Sequence, residues 1–406
     1  MKRQPGRGAG GGVSCPRVIL RRNLVRSLHE GHPWLFREAL EIPPGLPAGT
    51  VVDVVQRDGR FVARGLFDPG SPLAVRVYSL LPEEPLDEEL VGRRLAGALA
   101  ARRGLLQPDR TTAYRWCNGE GDFLPGVVLD RYGPLVVLRL DGEAVRSLRP
   151  AIGQAVRLLG APDGVRALVE RARHGVAELL WGEAPAGPVE VLEHGHRFAV
   201  DVLAGQKTGF FLDQRENRRL VGELARGLSV ANLFAYTGGF SVYAARGGAR
   251  RVETVDLARP AIDAARENFR RNGLPLEAHG FFAEDAFAWL DRTVASRTRY
   301  DLVIVDPPSF APSAEALPRA LAAYTDLFAR ALAVVVPGGL LAAASCSSHV
   351  DERAFLGVLK EAGRRVRRPL RLLGLAGQPA DHPVPPGFPE GRYLKFAVLR
   401  ADCRDA

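Results

Sequence analysis

The fold is decided by the stretch SVANLFAYTGGF at residues 229–240, together with RVETVD at residues 251–256. The first stretch reads as an apolar strand that ends in a turn at Gly238 and Gly239, after which a helix is predicted. The second reads as a strand that ends in Asp256. Strands alternate with helices in this way from about residue 220 onward, which predicts a doubly wound α/β domain with a mostly parallel sheet.

The alternation continues toward the C-terminus. Helices are predicted at about 259–272, 317–334 and 351–363, and further strands at 281–285, 300–306 and 338–345. Two β-like segments follow, at 370–375 and 393–400, and would bring the sheet to seven strands. A terminal hairpin after five alternating units resembles S-adenosylmethionine (SAM) methyltransferases more than nicotinamide dehydrogenases.

The chain upstream of this domain has a different pattern. Residues 17 to about 82 combine β-type runs with Gly/Pro turns, which predicts a small β-rich module. A central α+β segment follows, with a hairpin over 124–140 between two helices. We therefore expect a disordered basic leader at 1–16, a β-barrel module at 17–84, an α+β domain at 85–188 and the doubly wound domain at 189–406.

The balance of charge predicts a polyanionic partner. Lys and Arg total 55 against 46 Asp and Glu, giving a net charge of +9, and nucleic acid is the simplest partner for such a surface. Basic side chains cluster in residues 1–29 and again at 364–368. A composition biased toward arginine is the alternative explanation, because the chain contains lysine at four positions.

Several classes of protein are disfavoured. The apolar runs are far shorter than the ~20 residues that a membrane helix needs, so we expect a cytoplasmic protein. The four cysteines (Cys15, Cys117, Cys346 and Cys403) lack paired spacing, which argues against disulfides and a cysteine zinc site. The stretch EHGH at 193–196 is interpreted as a turn at a strand edge rather than a metal site.

Three features at predicted strand ends favour an adenosine-containing ligand. The turn at Gly238 and Gly239 lets backbone approach a ligand closely. Asp256 lies 17 residues after Gly239, where a carboxylate can accept hydrogen bonds from ribose hydroxyls. Asp285 ends the third strand, where a carboxylate can accept from an adenine amino group. These features alone do not separate SAM from NAD.

The stretch QKTGFFLDQR at 206–215 contains an unexpected lysine. Lys207 stands in a chain that strongly prefers arginine, which predicts a compact cation for a carboxylate. The alternative is a surface loop before a helix that is N-capped by Asp213.

Cys346 and Asp306 carry the predicted chemistry. Both follow apolar strands, and ligands bind at the carboxyl ends of such strands. Cytosine C5 is a poor nucleophile, but addition of a thiolate to C6 makes an enamine whose C5 can attack a methyl sulfonium. Asp306 would bond the cytosine amino group and N3. His349 is a candidate for the base that removes the C5 proton.

The chain resembles the ribosomal RNA large subunit methyltransferase I family, which comprises SAM-dependent 23S rRNA 5-methylcytosine methyltransferases with an N-terminal PUA domain. The resemblance runs from about residue 17 along nearly the whole chain. It is carried by GHPWLF at 31–36, GDFLPG at 121–126, QKTGFFLDQR at 206–215, YTGG at 236–239, DPP at 306–308, SCS at 345–347, DHP at 381–383 and PEGRYLK at 389–395.

This resemblance implies a PUA module, a central EEHEE-type domain and a Rossmann-like class I methyltransferase domain. It implies SAM as cofactor, 23S rRNA in the large subunit or its precursor as partner, and catalysis by Cys346 as nucleophile with Asp306. A homodimer is left open. The expected cofactor-binding residues are Gln206, Lys207, Thr208, Phe211, Asp213, Asn232, Phe234, Tyr236, Thr237, Gly238, Asp256, Asp285 and Asp306.

Two other functions stay open at this point. A guanine N-methyltransferase could use the same scaffold, and that chemistry needs no thiol. Enzymes that methylate exocyclic amines usually carry an aromatic residue directly after the second proline, where this chain has Ser309 before Phe310. A non-catalytic rRNA-binding assembly factor would bind RNA without turning over SAM.

Overall fold

A computed structural model describes residues 15–171, 177–205, 207–311, 313 and 315–402. The predicted leader lies almost entirely outside these residues, as do Gln206 and Cys403. Among the residues that the structure describes, every helix is too short or too polar to cross a bilayer.

The N-terminal module is a six-stranded sheet with one short helix. Its elements are β1 (Arg17–Leu20), α1 (Val25–His29), β2 (Trp34–Phe36), β3 (Leu40–Glu41), β4 (Thr50–Val55), β5 (Phe61–Phe67) and β6 (Leu73–Ser79). The strand order is β2-β6-β5-β4-β1-β3, and β1 and β4 run parallel. Val18, Leu35 and Val75 are fully buried in its core.

The central segment places two helices against a five-stranded sheet. It comprises α2 (Glu88–Leu105), β7 (Ala113–Asn118), β8 (Val127–Tyr132), β9 (Leu135–Leu140), α3 (Arg149–Gly160), β10 (Ala167–Arg171) and β11 (Ala177–Trp181). The strand order is β11-β10-β9-β8-β7. Asp87 caps α2 by accepting a hydrogen bond from Leu90 N at 2.9 Å. A separate hairpin follows, formed by β12 (Val189–Glu193) and β13 (His196–Val200).

The third part is the doubly wound domain. Its elements are α4 (Arg215–Leu224), β14 (Ser229–Leu233), α5 (Gly239–Arg246), β15 (Arg251–Asp256), α6 (Arg259–Arg271), β16 (Gly280–Ala283), α7 (Ala286–Ala295), β17 (Tyr300–Val305), α8 (Leu317–Ala333), β18 (Val335–Ser345), α9 (Glu352–Arg365), β19 (Leu370–Ala376) and β20 (Lys395–Ala401). The strand order is β16-β15-β14-β17-β18-β20-β19, with β20 antiparallel to both neighbours. The predicted mostly parallel seven-stranded sheet is therefore confirmed.

The strand order reverses at β14, which has β15 on one side and β17 on the other. Such a reversal opens a crevice at the carboxyl ends of the strands. The strand ends that sequence analysis singled out all lie there. In this domain α7, which Asp285 caps, was not predicted, and α4 begins after an N-cap at Gln214 rather than at Asp213.

The segment at 377–394, between β19 and β20, connects all three parts of the chain. Asp381 is fully buried and accepts two hydrogen bonds of 2.9 Å from the Arg215 guanidinium. The same carboxylate accepts from Arg115 N at 3.0 Å, on β7 of the central sheet. Further along, the Phe388 ring packs edge-on against Trp34 of the N-terminal module, with ring centroids 4.7 Å apart.

Candidate active site

The turn after β14 forms the floor of the site. Phe234 and Tyr236 both have positive φ angles, of 58° and 47°, a backbone conformation that residues other than glycine rarely adopt. Gly238 also has a positive φ, of 76°, and a Cβ there would lie 2.8 Å from that of Ala265. The backbone is therefore held in a strained path at the point where a ligand would approach.

Two carboxylates lie on the cofactor side of the crevice, at the ends of β15 and β16. Asp256 Oδ2 accepts from Tyr236 N at 2.8 Å, and its Oδ1 accepts from Ala258 N at 2.9 Å. Asp285 accepts from the first backbone N–H groups of α7. Backbone donors thus fix the orientation of both side chains.

A lysine–carboxylate pair closes one wall. Lys207 Nζ lies 2.7 Å from Asp213 Oδ2, which also accepts from the Tyr393 hydroxyl at 2.7 Å. The ammonium sits 4.2 Å above the centre of the Phe211 ring, a favourable cation–π position. Burial opposes ionisation of Asp213, but Lys207 and other donors outweigh it and hold the pKa of this carboxyl far below its usual value.

Asp306 and Cys346 lie at the ends of the adjacent strands β17 and β18. Burial, and then the negative charge of Asp213, raise the pKa of Asp306 to about 7. Burial also raises the pKa of the Cys346 thiol; the charge of Asp306 adds to this, and Lys207 opposes it. Near neutral pH Asp306 is therefore close to half protonated, and the Cys346 thiol favours its protonated form in the free protein.

These groups line one cavity of about 390 Å³. Its wall contains ten of the predicted site residues: Lys207, Phe211, Asp213, Phe234, Tyr236, Thr237, Asp256, Asp285, Asp306 and Cys346. Two oxygens in this wall, Thr237 Oγ1 and Asp213 Oδ1, are buried and have no hydrogen-bond partner among the described residues. Buried oxygens of this kind are normally satisfied by a ligand or by ordered water.

Comparison with known proteins identifies the family. The model for S-adenosylmethionine-dependent methyltransferases matches residues 122–366, and a PUA-like domain model matches residues 18–80. A relative named Ribosomal RNA large subunit methyltransferase I, from Aeromonas hydrophila, is 36% identical over 392 residues, covering 95% of this chain and 99% of its own length. The chain belongs to the ribosomal RNA large subunit methyltransferase I family. A Shewanella denitrificans relative of the same name is also 36% identical, with the same coverage.

Solved structures agree with this membership. A chain from Streptococcus mutans assigned as a SAM-dependent methyltransferase superposes with a TM-score of 0.84 at 26% identity, covering 95% of this chain and all of its own. A methyltransferase solved with S-adenosylhomocysteine gives a TM-score of 0.85 at 25% identity, covering 96% of this chain and 100% of its own. The predicted family, fold class and SAM cofactor are confirmed.

The cavity suits SAM as the family cofactor. Asp256 presents a carboxylate for ribose hydroxyls, as its place at the end of β15 predicts. The partnerless oxygens of Thr237 and Asp213 are acceptors available to the amino group of the methionine part. Phe234 and Leu257 add apolar wall. The residues present therefore fit the group that the family requires.

Three predicted cofactor residues lie outside the cavity wall. Thr208 is buried and donates to Asp130 Oδ2 at 2.6 Å, joining the doubly wound domain to β8. Asn232 is fully buried and donates to Ser241 Oγ at 2.9 Å. Gly238 shapes the turn from behind, as the N-cap of α5. Their direct contact with cofactor stays a prediction, and Gln206 lies outside the described residues.

Sequence analysis named His349 as a candidate base and interpreted the stretch EHGH at 193–196 as a turn. His349 is exposed and is absent from the cavity wall, so the free protein does not bring it to Cys346. His194 lies 3.0 Å from the Tyr243 hydroxyl and 3.3 Å from Glu216. In the described part of the chain, no group of three or more His, Cys, Asp or Glu side chains is placed to hold a metal ion.

Sequence reasoning missed several residues at the site. Gln214, Arg218 and Leu394 also line the cavity. Lys395 donates to the carbonyl oxygen of Ser347, the residue after Cys346. Arg218 is buried and makes a two-pronged ion pair with Glu193, at 2.7 and 2.6 Å. For Lys395 a signal existed, because lysine is so rare in this chain.

A second groove of about 330 Å³ adjoins the cavity, and Lys207 lines both. The groove lies between the N-terminal module, the central sheet and the 377–394 segment. Its wall includes the partly exposed Trp34 and the exposed Arg139. An aromatic ring and a guanidinium beside the reaction site form a surface that suits single-stranded nucleic acid.

Proposed function

We propose that this protein is a SAM-dependent methyltransferase that forms 5-methylcytosine in 23S rRNA, in the cytoplasm, through a covalent bond between Cys346 and C6 of the target base. The observation that carries the proposal is the opening of Cys346 and Asp306 into the same cavity as the cofactor residues. A thiol and a carboxyl at neighbouring strand ends provide a nucleophile for C6 and a partner for the pyrimidine edge.

Each residue has a defined task in this reaction. Cys346 adds to C6 as its proton passes to the ionised form of Asp306, and the addition moves electron density to C5. Asp306, whose pKa is raised to about 7, can pass this proton to N3 and accept from the exocyclic amino group. SAM would supply the methyl group that C5 takes up, with S-adenosylhomocysteine as the co-product. Solvent then takes the C5 proton, N3 returns its proton to Asp306, and the C5–C6 double bond forms again as the Cys346 sulfur leaves as a thiolate.

The loop after Asp306 favours methylation of cytosine C5 over methylation of an exocyclic amine. Ser309 Oγ lies 2.6 Å from Ser347 Oγ, so the two strand-end loops are joined beside Cys346. Phe310 packs on Tyr324, with ring centroids 4.7 Å apart, and is absent from the cavity wall. The aromatic ring that an amine methyltransferase would present to its base is therefore turned toward the core.

The choice of RNA rests on the relatives and on charge. The curated relatives are named for the large subunit ribosomal RNA, and this chain carries a net charge of +9. The PUA-like module contributes Trp34 to the groove that shares Lys207 with the cavity. The cluster at 364–368 contributes less, because Arg364 and Arg365 pair with Glu361.

Covalent trapping tests the proposal. With rRNA fragments that carry 5-fluorocytosine, fluorine replaces the proton that must leave, so the adduct should persist on denaturing gels. It should require SAM and disappear in Cys346→Ser. Cys15→Ser is the matched control and should trap normally. A guanine N-methyltransferase or a binding-only protein would give no adduct, and trapping that persists in Cys346→Ser would identify another nucleophile.

A further inference from the structure

Lysine is rare in this protein, and two of its four lysines lie at the active site. Lys207 lines the cavity, and Lys395 begins β20, directly beside the strand that ends before Cys346. Arginine supplies nearly every other cation in the chain. Lysine differs by carrying a compact charge whose protonation responds to its surroundings. These two positions therefore have a requirement that arginine does not meet.

The side chain of Lys395 is built into the loop that carries Cys346. Lys395 pairs with Ser345 across the antiparallel strands β18 and β20. Its Nζ donates to the carbonyl oxygen of Ser347 at 2.6 Å and to that of Tyr393 at 2.7 Å. The residue is 5% exposed. The ammonium thus holds the residue that follows Cys346, and motion of the turn would break a buried, charge-assisted hydrogen bond.

No carboxylate of the described residues lies within ion-pair distance of this ammonium. Burial lowers the pKa of Lys395 to about 8, while the neighbouring Cys346 and Asp351 act to raise it. At the thiol, burial and the charges of Asp306 and Asp213 raise the pKa of Cys346, and Lys207 lowers it. A buried cation without a carboxylate partner is costly unless another anion forms beside it.

We propose that Lys395 is a positioning residue for Cys346: its ammonium fixes the turn through Ser347 and supplies the positive charge beside which the thiolate forms. This inference rests on the proposed role of Cys346 as nucleophile.

The first test measures the thiol without RNA or turnover. The rate at which iodoacetamide alkylates Cys346 is followed against pH by mass spectrometry of the full chain. Lys395→Met should raise the apparent pKa of the thiol by about one unit, which slows alkylation about tenfold below that pKa. Lys360→Met, at an exposed lysine of α9, is the matched control and should leave the profile unchanged. An unchanged profile in a folded, SAM-binding Lys395→Met protein would overturn the inference.

The second test uses the reciprocal effect and needs no variant of Lys395. Electrostatic coupling between two groups acts equally on both. With lysine labelled by ¹³C at Cε, NMR should show Lys395 titrating at a lower pH in Cys346→Ala than in wild type, because the Cys346 sulfur raises the pKa of Lys395. An identical titration in both proteins would refute the pairing. Failure here leaves the trapping result untouched, and failure of trapping would remove the nucleophile while leaving this coupling measurable.

Discussion

The ionisable side chains in the two halves of the cavity have different surroundings. On the cofactor side, backbone N–H groups donate to Asp256 and Asp285. On the target side, burial raises the pKa of both Asp306 and Cys346. Backbone donors therefore fix the carboxylates of the first half, whereas burial shifts both groups of the second half toward their protonated forms. Substitutions on the two sides should have separable effects.

The largest expected effect is on the target side. Cys346→Ala should lower methyl transfer at least about a thousandfold, as loss of a nucleophile does in other enzymes. Its affinity for SAM should stay within about twofold of wild type, because the cofactor residues lie on the other strand ends. Single-turnover assays and calorimetry measure the two quantities. A parallel loss of SAM affinity would show that the halves are not separable.

On the cofactor side, Asp256→Ala should weaken SAM binding by about 1–3 kcal/mol, the usual cost of leaving buried polar groups unpaired. Backbone donors at Tyr236 and Ala258 lose their acceptor as well. Calorimetry is the measurement. Asp263→Ala, at an exposed position of α6, is the control and should bind SAM normally. Unchanged affinity in Asp256→Ala would remove this residue from the site.

The raised pKa of Asp306 should be visible as a dependence of stability on pH. Between its unfolded pKa near 3.8 and its folded pKa of about 7, the native state holds a proton that the unfolded chain has lost. Stability therefore falls as the pH rises through this window. Asp306→Asn removes the effect, so its stability relative to wild type should improve by about 1–2 kcal/mol between pH 5 and pH 8, the carboxyl being partly open to the cavity.

Urea unfolding of Asp306→Asn and wild type at the two pH values provides the measurement, without SAM. Equal differences in free energy of unfolding at pH 5 and pH 8 would contradict the raised pKa.

The smallest effect is expected at Tyr393. Tyr393→Phe removes the hydroxyl that donates to Asp213, while Lys207 still pairs with the same carboxylate. The free energy of unfolding should fall by about 1 kcal/mol, the typical net value of one buried hydrogen bond. Chemical denaturation measures it. A loss several times larger would mean that Tyr393, rather than Lys207, holds this wall of the cavity.

Sequence reasoning recovered the elements whose signal is local. The apolar run at 302–305 and the turn at Gly238 and Gly239 have the periodicity and residue types of a strand and a strand–helix turn, and they lie where predicted. Asn232 stands in the predicted strand, but its side chain donates to Ser241 and is absent from the cavity wall, so its contact with the cofactor stays a prediction.

The sequence contains no comparable signal for long-range contacts. Nothing near Asp381 in the sequence predicts its contacts with Arg215 and Arg115, which lie more than a hundred residues away. Thr208 likewise bonds Asp130 of another sheet. Such partners are set by how the three parts pack together, which residue periodicity does not encode. Lys395 is an intermediate case. The rarity of lysine is visible in the sequence, but the hydrogen bond from Lys395 to Ser347 is not.

The 377–394 segment has a consequence for the order in which the enzyme matures. It supplies Asp381, Tyr393 and Leu394, and Lys395 follows directly, all downstream of β19. A ribosome therefore emits these residues after β14 to β19 of the doubly wound sheet have left it. A nascent chain cannot complete its cavity until residues 377–395 have been synthesised, and a product released before that point lacks the wall to which Tyr393 and Leu394 belong.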